Sequence, residues 1–223
     1  MSVADNIKEI KKLVPADVNM VAVSKFHPVE LILEAYNAGQ RLFGESRVQE
    51  FLEKIKVTPN DIKWHFIGHL QTNKVRQIIG KTFLIESVDS EKLLDLINKE
   101  SEKVGLVTSV LLQVHVAAEE AKFGFFPEEL RDFLNSGRLN EMKSVKICGL
   151  MGMATNTDDE ERIKNDFRKI RELFEEIKSN HKIDLPDFKH ISMGMSGDWQ
   201  IAVEEGADII RIGSAIFGTR NYN

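Results

Sequence analysis

Between His190 and Ala215 the chain reads HISMGMSGDWQIAVEEGADIIRIGSA. Two short apolar runs, His190–Met193 and Asp208–Ile212, bracket a turn rich in glycine and serine and an amphipathic stretch, Gly197–Glu205. Gly206 follows that stretch, where a helix is expected to stop. The unit is a strand, a turn and a helix, and then the next strand begins.

The same unit recurs along the whole chain. Strand-like runs are expected at Met20–Lys25, Arg41–Glu45, Trp64–Ile67, Phe83–Val88, Val107–Val116 and Val145–Met151, besides the two above. Helix-like stretches fall between them at Pro28–Ala38, Ser46–Lys56, Asn73–Ile79, Ser90–Val104, Pro127–Ser136 and Asp158–Ser179. Pro28 and Pro127 suit first-turn positions, and Ser90 and Asp158 suit caps. Gly39, Gly80, Gly105 and Gly137 stand where helices should end. About eight strands, each but the last followed by a helix, leave roughly 28 residues per unit, the size of a βα step in a (β/α)8 barrel. The expected fold is therefore an α/β TIM barrel, with an open doubly wound sheet as the alternative. An extra helix, roughly Val3 to Leu13, precedes the first strand and should pack on the outside or bottom of the barrel. No linker-like composition interrupts residues 1–223, so one domain is expected.

Composition narrows the function. The chain has 223 residues, 42% hydrophobic and 29% charged, an ordinary globular balance. Its single cysteine, Cys148, precludes an internal disulfide, and a reducing compartment is the default. The polar start, Met1 to Asn6, has no apolar signal core. The longest uncharged stretch, Val104 to Ala118, is too short to span a bilayer. A soluble, cytoplasmic protein without a membrane partner is expected. A net charge of −5 disfavours nucleic acid, whose phosphates need a basic face. The charged segment Asp158–Lys178 carries Ile163, Phe167, Ile170, Phe174 and Ile177 at helical spacing, so it reads as a solvated face over a core face.

In such barrels the chemistry sits at the C-terminal ends of the strands. Val21, Val23 and Lys25 share one face if the first strand runs to Lys25. An amine held against apolar walls has a lowered pKa and becomes a nucleophile suited to Schiff-base chemistry; the alternative is a lysine snorkelling to solvent. After the seventh and eighth strands, Ser196-Gly197 and Gly213-Ser214 present hydroxyls and backbone N–H groups where barrels often bind phosphate. The alternative there is ordinary turn usage. Arg211 shares a face with Gly213 and should point inward, which is costly unless it is paired or bound to a ligand. His65 and His69 stand about 13 Å apart on a strand, too far to share one metal, and no other ligand spacing appears. Nucleotide-binding glycine motifs and a nucleophile elbow are both missing.

An amine on the first strand and a phosphate cradle after the last two suggest pyridoxal 5′-phosphate. Ala22-Val23-Ser24-Lys25, Phe43-Gly44-Glu45, Val48-Gln49-Glu50, Trp64 through Lys74, Ser87-Val88-Asp89-Ser90, Gly149-Leu150-Met151, Ser192 through Ser196 and Arg211 through Gly218 together resemble the pyridoxal phosphate homeostasis protein family. That resemblance covers nearly the whole chain, in order. It implies an alanine-racemase-like barrel without a second domain, with Lys25 forming the internal aldimine and Ser196, Gly197, Gly213 and Ser214 holding the phosphate. It also implies that Arg211 faces the pyridine nitrogen, which weakens the ring as an electron sink. The implied function is intracellular carriage or regulation of the cofactor without robust catalysis. Apo-enzymes that require the cofactor would be its recipients, and the chain would be a monomer or at most a weak dimer.

A pyridoxal-phosphate racemase or lyase and a lysine-dependent sugar-phosphate aldolase are the competing readings. A racemase would need an opposing tyrosine, and this chain has only Tyr36 and Tyr222. The sequence departs from its relatives in three places. Ser46-Arg47 replaces an asparagine-containing pair, Val114-His115-Val116 replaces Val-Asn-Ile, and Ala121-Lys122-Phe123-Gly124 replaces a Ser-Lys-Ser-Gly-like segment. Lys122 remains either a second amine at the mouth or a solvent-facing loop lysine.

Overall fold

Runs of β-branched and aromatic residues become strands here because each is buried on both faces. The computed structural model describes residues 2–119, 122–180 and 184–219; Ala121 and Tyr222 lie outside them. The strands are β1 (Asn19–Val23), β2 (Leu42–Glu45), β3 (Lys63–Phe66), β4 (Leu84–Val88), β5 (Thr108–Val114), β6 (Val145–Gly152), β7 (His190–Ser192) and β8 (Ile209–Ile212). All neighbours are parallel, and β1 pairs with β8, Val21 opposite Arg211, so the sheet closes. That pairing excludes the open doubly wound alternative.

The helices are α1 (Val3–Leu13), α2 (Val29–Asn37), α3 (Val48–Lys54), α4 (Val75–Ile78), α5 (Glu91–Lys103), α6 (Pro127–Asn135), α7 (Glu160–Ser179), α8 (Trp199–Glu204) and α9 (Ser214–Phe217). Ser90 caps α5 by accepting the Leu93 N–H, and Pro127 opens α6. Two expectations move by one residue. Pro28 stands at the cap of α2, not inside its first turn, and Asp159, not Asp158, caps α7 by accepting the Arg162 N–H. One expectation fails: β8 is followed by a short helix, α9. Helix α1 packs on α2 and α9, and its Asn6 Nδ2 donates to the Ile216 carbonyl at 2.9 Å. It thus covers the outside of the barrel where the last unit meets the first.

Strand alternation divides the core in two. Val21, Leu84, Leu111, Cys148, Met151 and Ile209 fill the barrel interior, while Ala22, Phe43, Phe66, Ile85, Leu112 and Ile210 pack against the helices. Helix α7 buries its apolar stripe, Ile163, Phe167, Ile170, Phe174 and Ile177, against the sheet as its periodicity requires. Gly149 has a structural task. It adopts φ 151° beside a register shift in the β5–β6 ladder, and a Cβ there would stand 1.8 Å from the His190 carbonyl oxygen. Only glycine lets β6 and β7 approach so closely. No helix among the described residues is long and apolar enough to cross a membrane.

Candidate functional site at the barrel mouth

Val21 and Val23 line the interior as their spacing predicts: a Cβ on Gly44 would meet Val21 at 3.0 Å and Val23 at 3.6 Å. Lys25 does not extend that strand. β1 ends at Val23, and Lys25 lies half-buried in the turn that follows. The strand ends there because the chain folds back on itself, with His27 N–H donating to the Ser24 carbonyl at 3.0 Å. Lys25 therefore stands on a turn beyond Val21 and Val23, at the C-terminal rim of the barrel.

That turn is held from behind. Ser24 N–H donates to the Gly44 carbonyl at 3.1 Å, and Ser24 Oγ donates to Glu45 Oε1 at 2.6 Å. The buried Lys54 ammonium donates to the Ser24 carbonyl at 2.8 Å, to Glu45 Oε1 at 2.7 Å and to Glu50 Oε1 at 2.6 Å. Glu50 also accepts the Phe26 N–H at 2.6 Å. Burial pushes the Glu45 carboxyl up from its ordinary pKa, against the pull of Lys54 and Ser24.

The loops after β7 and β8 come together beside this turn. Ser196 Oγ accepts N–H bonds from Gly213 at 3.2 Å and Ala215 at 3.5 Å. Its own hydroxyl proton thus remains for a further acceptor. Nothing lies within 4 Å of where a side chain would begin at Gly197, and Ser214 is exposed at the start of α9. A Cβ on Gly213 would stand 3.5 Å from Val23, and His27 stacks on Phe217 of α9 with ring centroids 5.1 Å apart. Val23 before the Lys25 turn and His27 after it thus touch the segment 213–217. Hydroxyls, open backbone and an amine arranged this way fit a phosphorylated aldehyde. Asp198, at the head of α8, has its Oδ1 accepting the Met195 N–H at 2.5 Å, and burial raises its pKa.

Beneath the mouth lies a buried polar layer that sequence reasoning reached only in part. Arg211 points inward as expected and is 4% exposed. It donates to Ser192 Oγ at 2.6 Å and to the Gly152 carbonyl at 2.9 Å, and it stands 3.8 Å from Glu86 Oε2. Ser192 in turn donates to Glu86 Oε2 at 2.5 Å, and His65 Nδ1 lies 2.5 Å from Glu86 Oε1. Burial alone would raise the Glu86 pKa, but His65, Arg211 and Ser192 outweigh it and hold the carboxyl below its ordinary value. A depressed folded-state pKa stabilises the protein above the unfolded value and loses that contribution as pH falls through the folded one. Glu86→Gln should therefore cost ~3 kcal/mol near neutral pH. The gap to wild type should narrow below about pH 4.5, which denaturant melts at a series of pH values would check.

The remaining expectations sort by position. Lys122 donates to the Ala154 carbonyl at 2.8 Å and pairs with Glu119 at 3.0 Å, so it is tied to the rim above β6 instead of extending into solvent. Glu119 is held down at about 2, first by the Asn156 N–H and then by Lys122. Ser46 is pressed against the next loop: a Cβ on Gly68 would lie 2.2 Å from its carbonyl oxygen. Tyr36 lies on the outside, donating to Asp61 at 2.7 Å, with the Arg41 guanidinium 3.8 Å from its ring centre. Arg41 precedes β2, so Tyr36 is at the end of the barrel away from the mouth. Among the described residues no group of three or more His, Cys, Asp or Glu side chains could hold a metal.

Sequence reading missed Glu45, Glu50, Lys54 and Glu86. The first two stood inside quoted motifs, and Glu50 and Lys54 have the i, i+4 spacing of a helical ion pair. Glu86 left no local signal, because its partners come from β3, β7 and β8.

Comparison with known proteins shows the family and the fold. The model of the alanine racemase N-terminal domain family matches residues 1–221. A pyridoxal phosphate homeostasis protein of Aquifex aeolicus is 44% identical over 204 residues, covering 91% of this chain and 87% of that protein. PipY of Synechococcus elongatus, solved without PLP, superposes with a TM-score of 0.90 at 36% identity, over 97% of this chain and 100% of that one. The same protein with PLP bound gives a TM-score of 0.86 at 34% identity, with the same coverage. The chain belongs to the pyridoxal phosphate homeostasis protein family, on the barrel of the alanine racemase N-terminal domain.

Proposed function

We propose that this protein binds pyridoxal 5′-phosphate at the barrel mouth and holds it for release, as a carrier or buffer without robust catalysis. The observation that carries the reading is the packing of the Lys25 turn against the segment 213–217 through Val23 and His27. An amine after β1 and a hydroxyl-rich cradle after β7 and β8 match a ligand with an aldehyde and a phosphate at its two ends. The cofactor supplies an aldehyde, which condenses with the Lys25 amine to a Schiff base and releases one water. Ser196, Gly197, Gly213 and Ser214 hold the phosphate, and Arg211 faces the pyridine nitrogen. The PLP bound to PipY supports this choice of ligand.

The protein's own residues argue against turnover. Arg211 is fixed by Ser192, the Gly152 carbonyl and Glu86, and a permanent cation gives the ring nitrogen no proton, so the ring is a poor electron sink. Tyr36 is at the wrong end of the barrel to act as an opposing acid. On the same reading, residues 1–223 form one cofactor-binding domain, cytoplasmic and monomeric or weakly dimeric. Its cofactor passes to apo-enzymes that need it. The loaded protein should racemise alanine no faster than free cofactor does. Turnover of any amino acid at ~1 per second or more would replace the carrier reading with a racemase or lyase.

A further inference from the structure

The turn that carries Lys25 is built against its own conformational preference. His27 closes it on the Ser24 carbonyl, so Lys25 and Phe26 are its two central residues. Phe26 has φ 66°, the only non-glycine in the left-handed region among the described residues. Glycine or asparagine ordinarily fills such a position, because a Cβ crowds the backbone there.

Four side chains brace the turn, and Glu45, Lys54 and Glu50 do so from behind the sheet. Gly44 faces the barrel interior, so Glu45 faces the helix layer, where Lys54 and Glu50 of α3 meet it. Lys54 anchors the carbonyl on one side of Lys25, and Glu50 anchors the amide on the other. Arg47, at the cap of α3, lays its guanidinium 4.3 Å from the centre of the Phe26 ring. Of these groups, Glu45 and Lys54 are sealed from the mouth, with side chains 0% and 6% exposed. They can act on the ligand only through the turn.

We propose that Lys54, with Glu45 and Glu50, is the positioning unit for the Lys25 amine: the buried ion triad holds the strained turn in the shape that aims the amine at the barrel mouth. The proposal rests on the reading of Lys25 as the cofactor-bearing amine. It adds that α3, through Lys54 and Glu50 behind the turn, decides how readily that amine reacts.

The test uses three small molecules on the full-length chain. Pyridoxal 5′-phosphate engages both amine and cradle. Pyridoxal engages the amine alone, and pyridoxine 5′-phosphate, which has no aldehyde, engages the cradle alone. Lys54→Met and Glu50→Ala should each lower Schiff-base formation with both aldehydes by about tenfold or more. Pyridoxine 5′-phosphate should bind within about twofold of wild type, since its site is separate. Glu50→Gln should restore most of the lost reactivity, because the amide oxygen still accepts the Phe26 N–H. Unchanged Schiff-base formation in Lys54→Met and Glu50→Ala overturns the proposal, and so does equal loss of all three ligands, which would mark general damage to the mouth. If Lys54→Met does not fold, Glu50→Ala, whose side chain is already 20% exposed, decides alone. A wild type that forms no Schiff base on Lys25 defeats the cofactor reading itself, and is told apart because the defect precedes any substitution.

Discussion

On the proposed reading, Lys25→Ala should remove the covalent adduct altogether. Wild type mixed with pyridoxal 5′-phosphate should turn yellow and, after borohydride, yield one labelled peptide containing Lys25. The variant should yield none. The effect is all-or-none because a bond is lost, and two other lysines near the mouth have partners of their own. Lys54 is buried among two carboxylates and a carbonyl, and Lys122 is held by Ala154 and Glu119. The fold should survive, since the anchors of the turn are the backbone of Ser24 and Phe26, not the Lys25 side chain. Weak binding of the cofactor through its phosphate should remain. Equal labelling of variant and wild type, or a label that maps to Lys122, would transfer the chemistry to another amine.

Ser214→Ala should separate ligands that carry a phosphate from those that do not. A hydrogen bond to a charged group is worth ~1.5 to 3 kcal/mol, so losing one hydroxyl should weaken pyridoxal 5′-phosphate ~10- to 150-fold. Pyridoxal places nothing in the cradle and should be almost unaffected. Gly213→Val should be more severe for the phosphorylated ligand and mild for the fold. The atoms nearest the new Cβ belong to Val23, at an ordinary 3.5 Å, so the barrel accepts it while the branches fill the cradle. Titration of both ligands against both variants, with thermal melts alongside, is the check. A Ser214→Ala variant that weakens both ligands by one factor would mean that Ser214 does not read the phosphate.

The barrel was legible because its signals are local. Apolar runs, caps and stop glycines recur once per unit, and each depends on a few neighbouring residues. The strand alternation through Val21 and Val23 was equally local, as was the inward direction of Arg211. Legibility failed where backbone hydrogen bonds compete. β1 looked continuous to Lys25, yet the Ser24 carbonyl is taken by His27 and Lys54, and the chain turns. α9 escaped notice because four residues carry no helical periodicity.

By itself, then, the sequence determined the repeating unit, the end of the barrel where chemistry belongs, and the residue types gathered there. Those follow from periodicity and from the directions of side chains along a strand. Only the tertiary structure decided which groups hold which. Glu86 gains meaning from His65, Ser192 and Arg211, which stand on three other strands. The Lys25 turn depends on a lysine and two glutamates behind the sheet. Charges buried at low dielectric must find partners wherever the fold brings them, and in a closed barrel those partners come from strands and helices far apart in the chain.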